Sequence, residues 1–424
     1  MPEPEVGLPQ SPGAVRSHLS RLKRLASGVA LLLALAAFCV TSCFTSGVRA
    51  QEPSAPPTPA VTPESTPTSG DLASNSASPA SARLSSHQLL AMRQGQAEAA
   101  ALDWVLANSG PFKGETYAGP YRVAFSITPA EGWWDKAGDG KLAWHASPAG
   151  NVHLRIFVAD SADGRLMPGL TVRATMTDTN GNRQSVPTDF GWYPMLNAYG
   201  GNVPLVTDSS YTLRVIIAPL TVRDPSEAER FTSTTVAEFA PVPIVLKDVA
   251  PLPLGTSVAF NHEATLLRPV NAAFSAAIRA LWEQSSSGME QQVADYFIGY
   301  AINTRVNHSA GAAEIPLHGR LGLSGKENIH LALIVRDART GRLIPELAPT
   351  ASLISADGKL YGPGEMPLLW DSWINHYGRD ARVPRKGTYR LRVHFEAPGF
   401  RRWGSQSERF ALPADADFEN VKLE

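Results

Sequence analysis

Short runs in which large apolar and polar residues alternate recur along the chain, and each predicts a β-strand with one face toward a core. Tyr121 to Ile127 is the first. In the next, Val152, Leu154, Ile156 and Val158 line one face while His153, Arg155 and Phe157 take the other. Leu170 to Met176 follows, then a Thr179-Asn180-Gly181-Asn182 turn, an inward set of Tyr211, Leu213, Val215 and Ile217, and a short closing element from Phe239 to Leu246. The pattern returns in Ile329, Leu331, Leu333 and Val335, in an Asp357-Gly358 hairpin turn, and in Tyr389, Leu391, Val393 and Phe395. Two stretches read instead at helical spacing. Leu84 to Asn108 does so through Leu89, Leu90, Ala97, Ala101 and Val105. Asn271 to Asn303 reads as a helical hairpin, with Phe274, Ile278, Leu281 and Trp282 on one arm, Val293, Phe297 and Ile298 on the other, and Ser285-Ser286-Ser287-Gly288 between.

Many of these elements occur twice. Gly164-Arg165-Leu166-Met167-Pro168-Gly169-Leu170 returns as Gly341-Arg342-Leu343-Ile344-Pro345-Glu346-Leu347, and Asn197-Ala198-Tyr199-Gly200 as Asn375-His376-Tyr377-Gly378. Tyr211 to Val215 matches Tyr389 to Val393, in the same order. The fold class that follows is all-β with added helices: two tandem antiparallel immunoglobulin-like sandwiches, an N-terminal helix and a helical insertion. The expected divisions are a leader over 1–50, a linker over 51–86, a helical segment over 87–118, a first sandwich over 119–248 and a second over 249–424, with the insertion at about 271–303.

The leader carries Arg16, Arg21, Lys23 and Arg24 ahead of an apolar run from Val29 to Val40, the layout of an export signal. Two endings compete: Val40-Thr41-Ser42-Cys43 fits a lipobox, and Val48-Arg49-Ala50 fits ordinary cleavage. The lipobox is preferred because Cys43 directly follows the apolar run. The chain is therefore expected outside the cytoplasmic membrane, periplasmic or at the cell surface, with a lipid anchor at Cys43. Pro, Ser, Thr and Ala dominate from Gln51 to Ser86, the composition of a spacer. Both cysteines of the chain, Cys39 and Cys43, lie in the leader, so either cleavage removes any cysteine pair. A net charge of -1 argues against nucleic acid as the main partner.

No Gly-x-Ser-x-Gly elbow, Walker loop, dinucleotide-binding glycine pattern or His-Glu-x-x-His helix is present, and the chain is not read as an enzyme. Chemistry concentrates where the repeats differ: the second carries Met366 and His376 where the first has Thr188 and Ala198. The loop from Gly364 to Gly378 gathers Glu365, Met366, Asp371 and His376, and His330 sits off the apolar face of its strand. Thioether with imidazole suits copper; imidazole with carboxylate suits iron, manganese or zinc. Trp133-Trp134, Trp192, Trp370 and Trp373 could instead form an aromatic sugar platform, but the matched positions of Trp192 and Trp370 favour packing.

Met-Pro followed by His-Tyr-Gly, between a strand with His-Leu and a Gly-x-Tyr strand, resembles the periplasmic iron-transport sandwich family that accompanies bacterial ferrous-iron permeases. The resemblance implies an immunoglobulin-like fold that binds copper or iron, with Met366, His376 and His330 at ligand positions. The family's acidic residue two places after the strand histidine is Ala332 here, so Asp371 or Glu365 is expected to substitute. The resemblance further implies a membrane iron permease as partner and intramolecular pairing of the two sandwiches in place of a dimer. The alternative is a non-catalytic surface-interaction or carbohydrate-binding module.

Overall fold

The computed structural model describes residues 84–424 except 138–139, 206–207, 222–228, 252–256, 305–327, 385, 405–408 and 424, and the backbone alone at 257–263, 304 and 363. The expected leader and nearly all of the expected linker, Cys43 included, lie outside the described residues. Among the described residues the chain forms four sheets and two α-helices, so it is mainly β with added helices. No helix among them is long and apolar enough to cross a membrane.

The first large sheet runs Lys113–Ala118, Tyr121–Pro129, Asn151–Asp160, Ala198–Pro204, Phe190–Trp192, Arg401–Trp403, Trp133–Lys136, Leu142–His145 from edge to edge. The second runs Ser287–Val293, Tyr296–Thr304, Ile329–Asp337, His376–Ala381, Leu368–Leu369. Two smaller sheets complete the sandwiches. One has the order Thr235–Glu238, Ser209–Ile217, Val172–Asp178, Arg183–Val186, and the other Ala414–Leu423, Gly387–Phe395, Thr350–Ser355, Leu360–Glu365. The first five strands of the first large sheet follow the same order as the five of the second. The first sheet then adds Arg401–Trp403, which crosses from the second half and pairs in parallel with Phe190–Trp192. Beyond it come Trp133–Lys136 and Leu142–His145, which have no counterpart among the described residues of the second half.

Period-two patterning accounts for the core. Tyr211, Leu213, Val215 and Ile217 are buried together with Tyr389, Leu391, Val393 and Phe395 in one apolar cluster fed by all four sheets. The central strands Asn151–Asp160 and Ile329–Asp337 are buried on both faces, because a helix covers the outer face of each large sheet. Helix α1, Ser86–Asn108, starts at a capping box: Ser85 Oγ accepts from Gln88 N at 3.1 Å and Gln88 Oε1 accepts from Ser85 N at 2.9 Å. It lays Ala101, Leu102 and Val105 on Ala124 and Phe157. A Cβ at Gly95 would stand 1.8 Å from Asp163 O, so only glycine lets α1 come this close to the turn after Asp160.

Helix α2, Ser257–Glu283, lays Ala277, Ile278 and Leu281 on Ala301, Ala332 and Ile334 of the second large sheet. The expected helical hairpin over 271–303 is corrected here: its first arm is α2, but Ser287–Val293 and Tyr296–Thr304 are antiparallel strands. Val293, Phe297 and Ile298 happen to fall at helical spacing. Tyr296, Ile298, Tyr300 and Ile302 carry the true period of two and are all buried. Each helix also reaches across: Leu90 and Ala91 of α1 pack with Trp373 and Ile374, and Leu266 and Leu267 of α2 pack with Met195 and Leu196.

Candidate metal centre

His330 is the second residue of its strand and alternates with core residues Ile329 and Leu331, so its ring leaves the sandwich on the side covered by the helices. In the neighbouring strand, His376, Gly378 and Asp380 share that same face. Register places His330 opposite Asp380 and Ala332 opposite Gly378. The two imidazoles lean toward each other over the small Ala332–Gly378 pair until Nε2 meets Nε2 at 3.1 Å, with ring planes 88° apart. A Cβ at Gly378 would stand 3.0 Å from His376 Nε2, 3.1 Å from His330 Cε1 and 2.2 Å from Leu369 Cδ1. Glycine is thus the floor on which the pair rests.

Each ring is held from behind. His330 Nδ1 meets Asp380 Oδ1 at 2.6 Å, and His376 Nδ1 meets Ile374 O at 3.0 Å. A carbonyl only accepts, so His376 Nδ1 carries a hydrogen. Burial, then the charge on His330, push His376 down to about 3, so it is neutral and its Nε2 offers a lone pair. The hydrogen between the rings therefore sits on His330 Nε2. One further proton must lie between His330 Nδ1 and Asp380, since two acceptors at this distance would repel. The cluster holds a proton that a cation could replace.

The corresponding place in the first half is closed. His153 Nδ1 bonds Asn202 Oδ1 at 2.9 Å, and Nε2 bonds Tyr193 Oη at 2.9 Å. Asn202 stands where the second half has Asp380, and the tyrosine hydroxyl fills the place of the second imidazole. Burial lowers His153 to about 4, leaving a neutral ring with both nitrogens satisfied. Thr188 donates to Val172 O at 2.6 Å, and Ala198 is buried in the outer-face cluster beneath α1.

Of the residues singled out in the sequence, the fold brings His330 and His376 together. Asp371 is spent on its own loop: Oδ1 accepts from Trp373 N at 3.0 Å, and its carbonyl accepts from Arg165 at 2.9 Å. The acidic partner is Asp380, which sequence reading passed over although it follows His376 by two strand periods. Met366 is completely buried and belongs to the sandwich-core cluster. Among the described residues no group of three or more His, Cys, Asp or Glu side chains is placed to hold a metal ion. The two imidazole Nε2 atoms of His330 and His376 are what the fold brings face to face. Trp192 and Trp370 are packed, each beneath a guanidinium, so they offer no sugar platform.

No protein-family model matches the chain, and no curated protein matches it. Among solved structures it is similar to as-isolated FetP of uropathogenic Escherichia coli strain F11, with 20% identity over 33% of this chain and 100% of FetP at a TM-score of 0.26. A copper-bound FetP variant gives 20% identity over 32% of this chain and 96% of its own length, also at 0.26. Copper-reconstituted P19 from Campylobacter jejuni gives 16% identity over 32% of this chain and 96% of P19 at 0.24. At such scores the functional reading rests on the residues themselves.

Proposed function

We propose that this is an exported metal-binding protein that takes a transition-metal ion on Nε2 of His330 and Nε2 of His376. The observation that carries the proposal is the 3.1 Å contact between those nitrogens, with both Nδ1 atoms already engaged by a carboxylate and a backbone carbonyl. That is the outer-shell pattern of metal-ligating histidines, which donate their second N–H to such groups. Two nitrogens at about 2.0–2.1 Å from a tetrahedral ion lie roughly 3.3 Å apart, close to the spacing present. Binding displaces the hydrogen between the rings, and Asp380 orients His330. Two imidazoles with no carboxylate in contact favour copper over iron.

The matching strand orders, the paired helices and the tyrosine-pinned turns support a duplication of one helix-plus-sandwich unit, in which the first copy closed its site. The leader and Cys43 support a lipid-anchored location, and the family resemblance supports delivery of metal to a membrane iron permease. The test is equilibrium dialysis of the full chain against copper and zinc. The wild type should bind one ion, and His330→Ala or His376→Ala should bind none while remaining folded. Equal binding by these variants would place the metal elsewhere.

A further inference from the structure

Each half contains a prolyl turn pinned by a tyrosine. Tyr199 Oη donates to Met167 O at 2.8 Å and accepts from Leu170 N at 2.9 Å; Tyr377 Oη donates to Ile344 O at 2.8 Å and accepts from Leu347 N at 3.1 Å. The residue trapped inside each turn takes a left-handed conformation, φ 75° at Gly169 and 58° at Glu346. Glycine adopts that region without steric cost, whereas a side chain with a Cβ is strained there. The second turn thus carries a glutamate in the place that suits glycine, and strain of this kind points to a use for the side chain.

Both turns line one cleft of about 480 Å³ between the halves, in the range of small-molecule sites. Its walls are mainly apolar, with Leu170 and Leu220 from one half and Leu347, Pro367 and Leu368 from the other, and Thr171, Thr221 and Asn375 add polar groups. Glu346 lines this cleft, and the partial enclosure of its carboxyl there, then the neighbouring Asp189, push it up to about 7. Such a site suits neither a bare divalent ion, which needs several oxygens, nor an anion. An apolar body bearing a cationic head satisfies both the walls and the carboxylate.

We propose that the cleft between the two prolyl turns binds a small primary amine on an apolar body, with the ammonium on Glu346. The site does not depend on metal binding at His330 and His376. The experiment is calorimetric titration of the full chain with hexylamine, with hexanol as the uncharged control. Saturable binding of hexylamine is expected, and Glu346→Gln should weaken it about tenfold or more, the cost of losing a charge-assisted hydrogen bond. Glu346→Gly should lose the same binding while melting at the same or a higher temperature, because glycine relieves the strained turn. Absence of saturable hexylamine binding to the wild type, equal binding of hexanol, or unchanged binding in Glu346→Gly would each overturn the proposal.

Discussion

The guanidinium of Arg342, in the second half, lies 4.1 Å from the ring of Trp192 in the first. Arg165 of the first half makes the same contact with Trp370 of the second, at 4.6 Å. Each arginine also donates to a carbonyl in the other half: Arg342 to Met195 O at 2.7 Å and Tyr193 O at 3.0 Å, Arg165 to Asp371 O at 2.9 Å. The exchange is reciprocal, as across a two-fold axis. It fixes the loop that leads to His376 by a side chain from the opposite half, so the candidate site depends on both.

Arg342→Lys tests that clamp. A lysine carries the charge but cannot send a planar fork to two carbonyls while stacking on an indole. The variant should lose about 2 kcal/mol or more of stability, from charge-assisted hydrogen bonds worth roughly 1.5–3 kcal/mol and the cation–π contact. Denaturant unfolding measures this; an unchanged midpoint would show that the clamp is ornamental.

Gly378→Ala should strike the site harder than the fold. Leu369 can swing its methyl away, but the added Cβ also stands near 3 Å from both imidazoles, so the rings must shift by a few tenths of an ångström and the Nε2–Nε2 contact is disturbed. Overpacking of this kind costs about 1–3 kcal/mol. Metal affinity, read by competition with a chelator, is expected to fall about tenfold or more, as when a ligand's supporting contacts are lost.

Asp380→Asn copies into the second half the amide that holds His153 in the first. The fold should persist, since Asn Oδ1 still accepts from Nδ1–H, but a neutral His330 then carries no hydrogen on Nε2 and its contact with His376 Nε2 should open. Without the carboxylate, metal affinity should drop about 10–100-fold. Affinity equal to wild type would remove Asp380 from the account.

Glu98 sets a pH dependence of stability. It is 8% exposed, receives Gln94 Nε2 at 2.8 Å and Leu166 N at 2.5 Å, and burial raises it from 4.5 to about 7 against the pull of those bonds and of Arg165. A raised folded value means the native state holds the proton longer. Stability from this group is full below 4.5 and is lost as pH rises through about 7, by on the order of 3 kcal/mol. The neutral histidines act oppositely: His153, lowered to about 4, and His376, to about 3, contribute stability above 6.5 that is lost as pH falls. Chemical denaturation of wild type and Glu98→Gln separates the two. The variant should gain stability relative to wild type at pH 8, and its stability should fall on acidification below 6.5; parallel curves would contradict the assignment.

How much of this the sequence disclosed depends on the range of the interaction. Strand faces follow from local alternation, so Tyr211 to Ile217 and Tyr389 to Phe395 were legible, as was His330 standing off its apolar set. The two copies of Gly-Arg-Leu were legible as a repeat, but the burial of Arg165 and Arg342, at 1% and 7% exposed, was not, because their partners lie in the other half. Asp371 drew attention by sitting in the loop with His376, whereas its carboxyl serves a local turn and Asp380 meets His330 through sheet register. Residues from Ser287 to Thr304 satisfied helical and strand spacing at once. Pairing with Ile329–Asp337 decides between them, and pairing is not local information.

The most direct test of the central claim is an X-ray absorption spectrum of the full chain loaded with one equivalent of copper. The account predicts imidazole nitrogen scatterers from two histidines at about 2.0 Å, reduced to one in His376→Ala. A first shell without imidazole, or one unaltered in that variant, would contradict it.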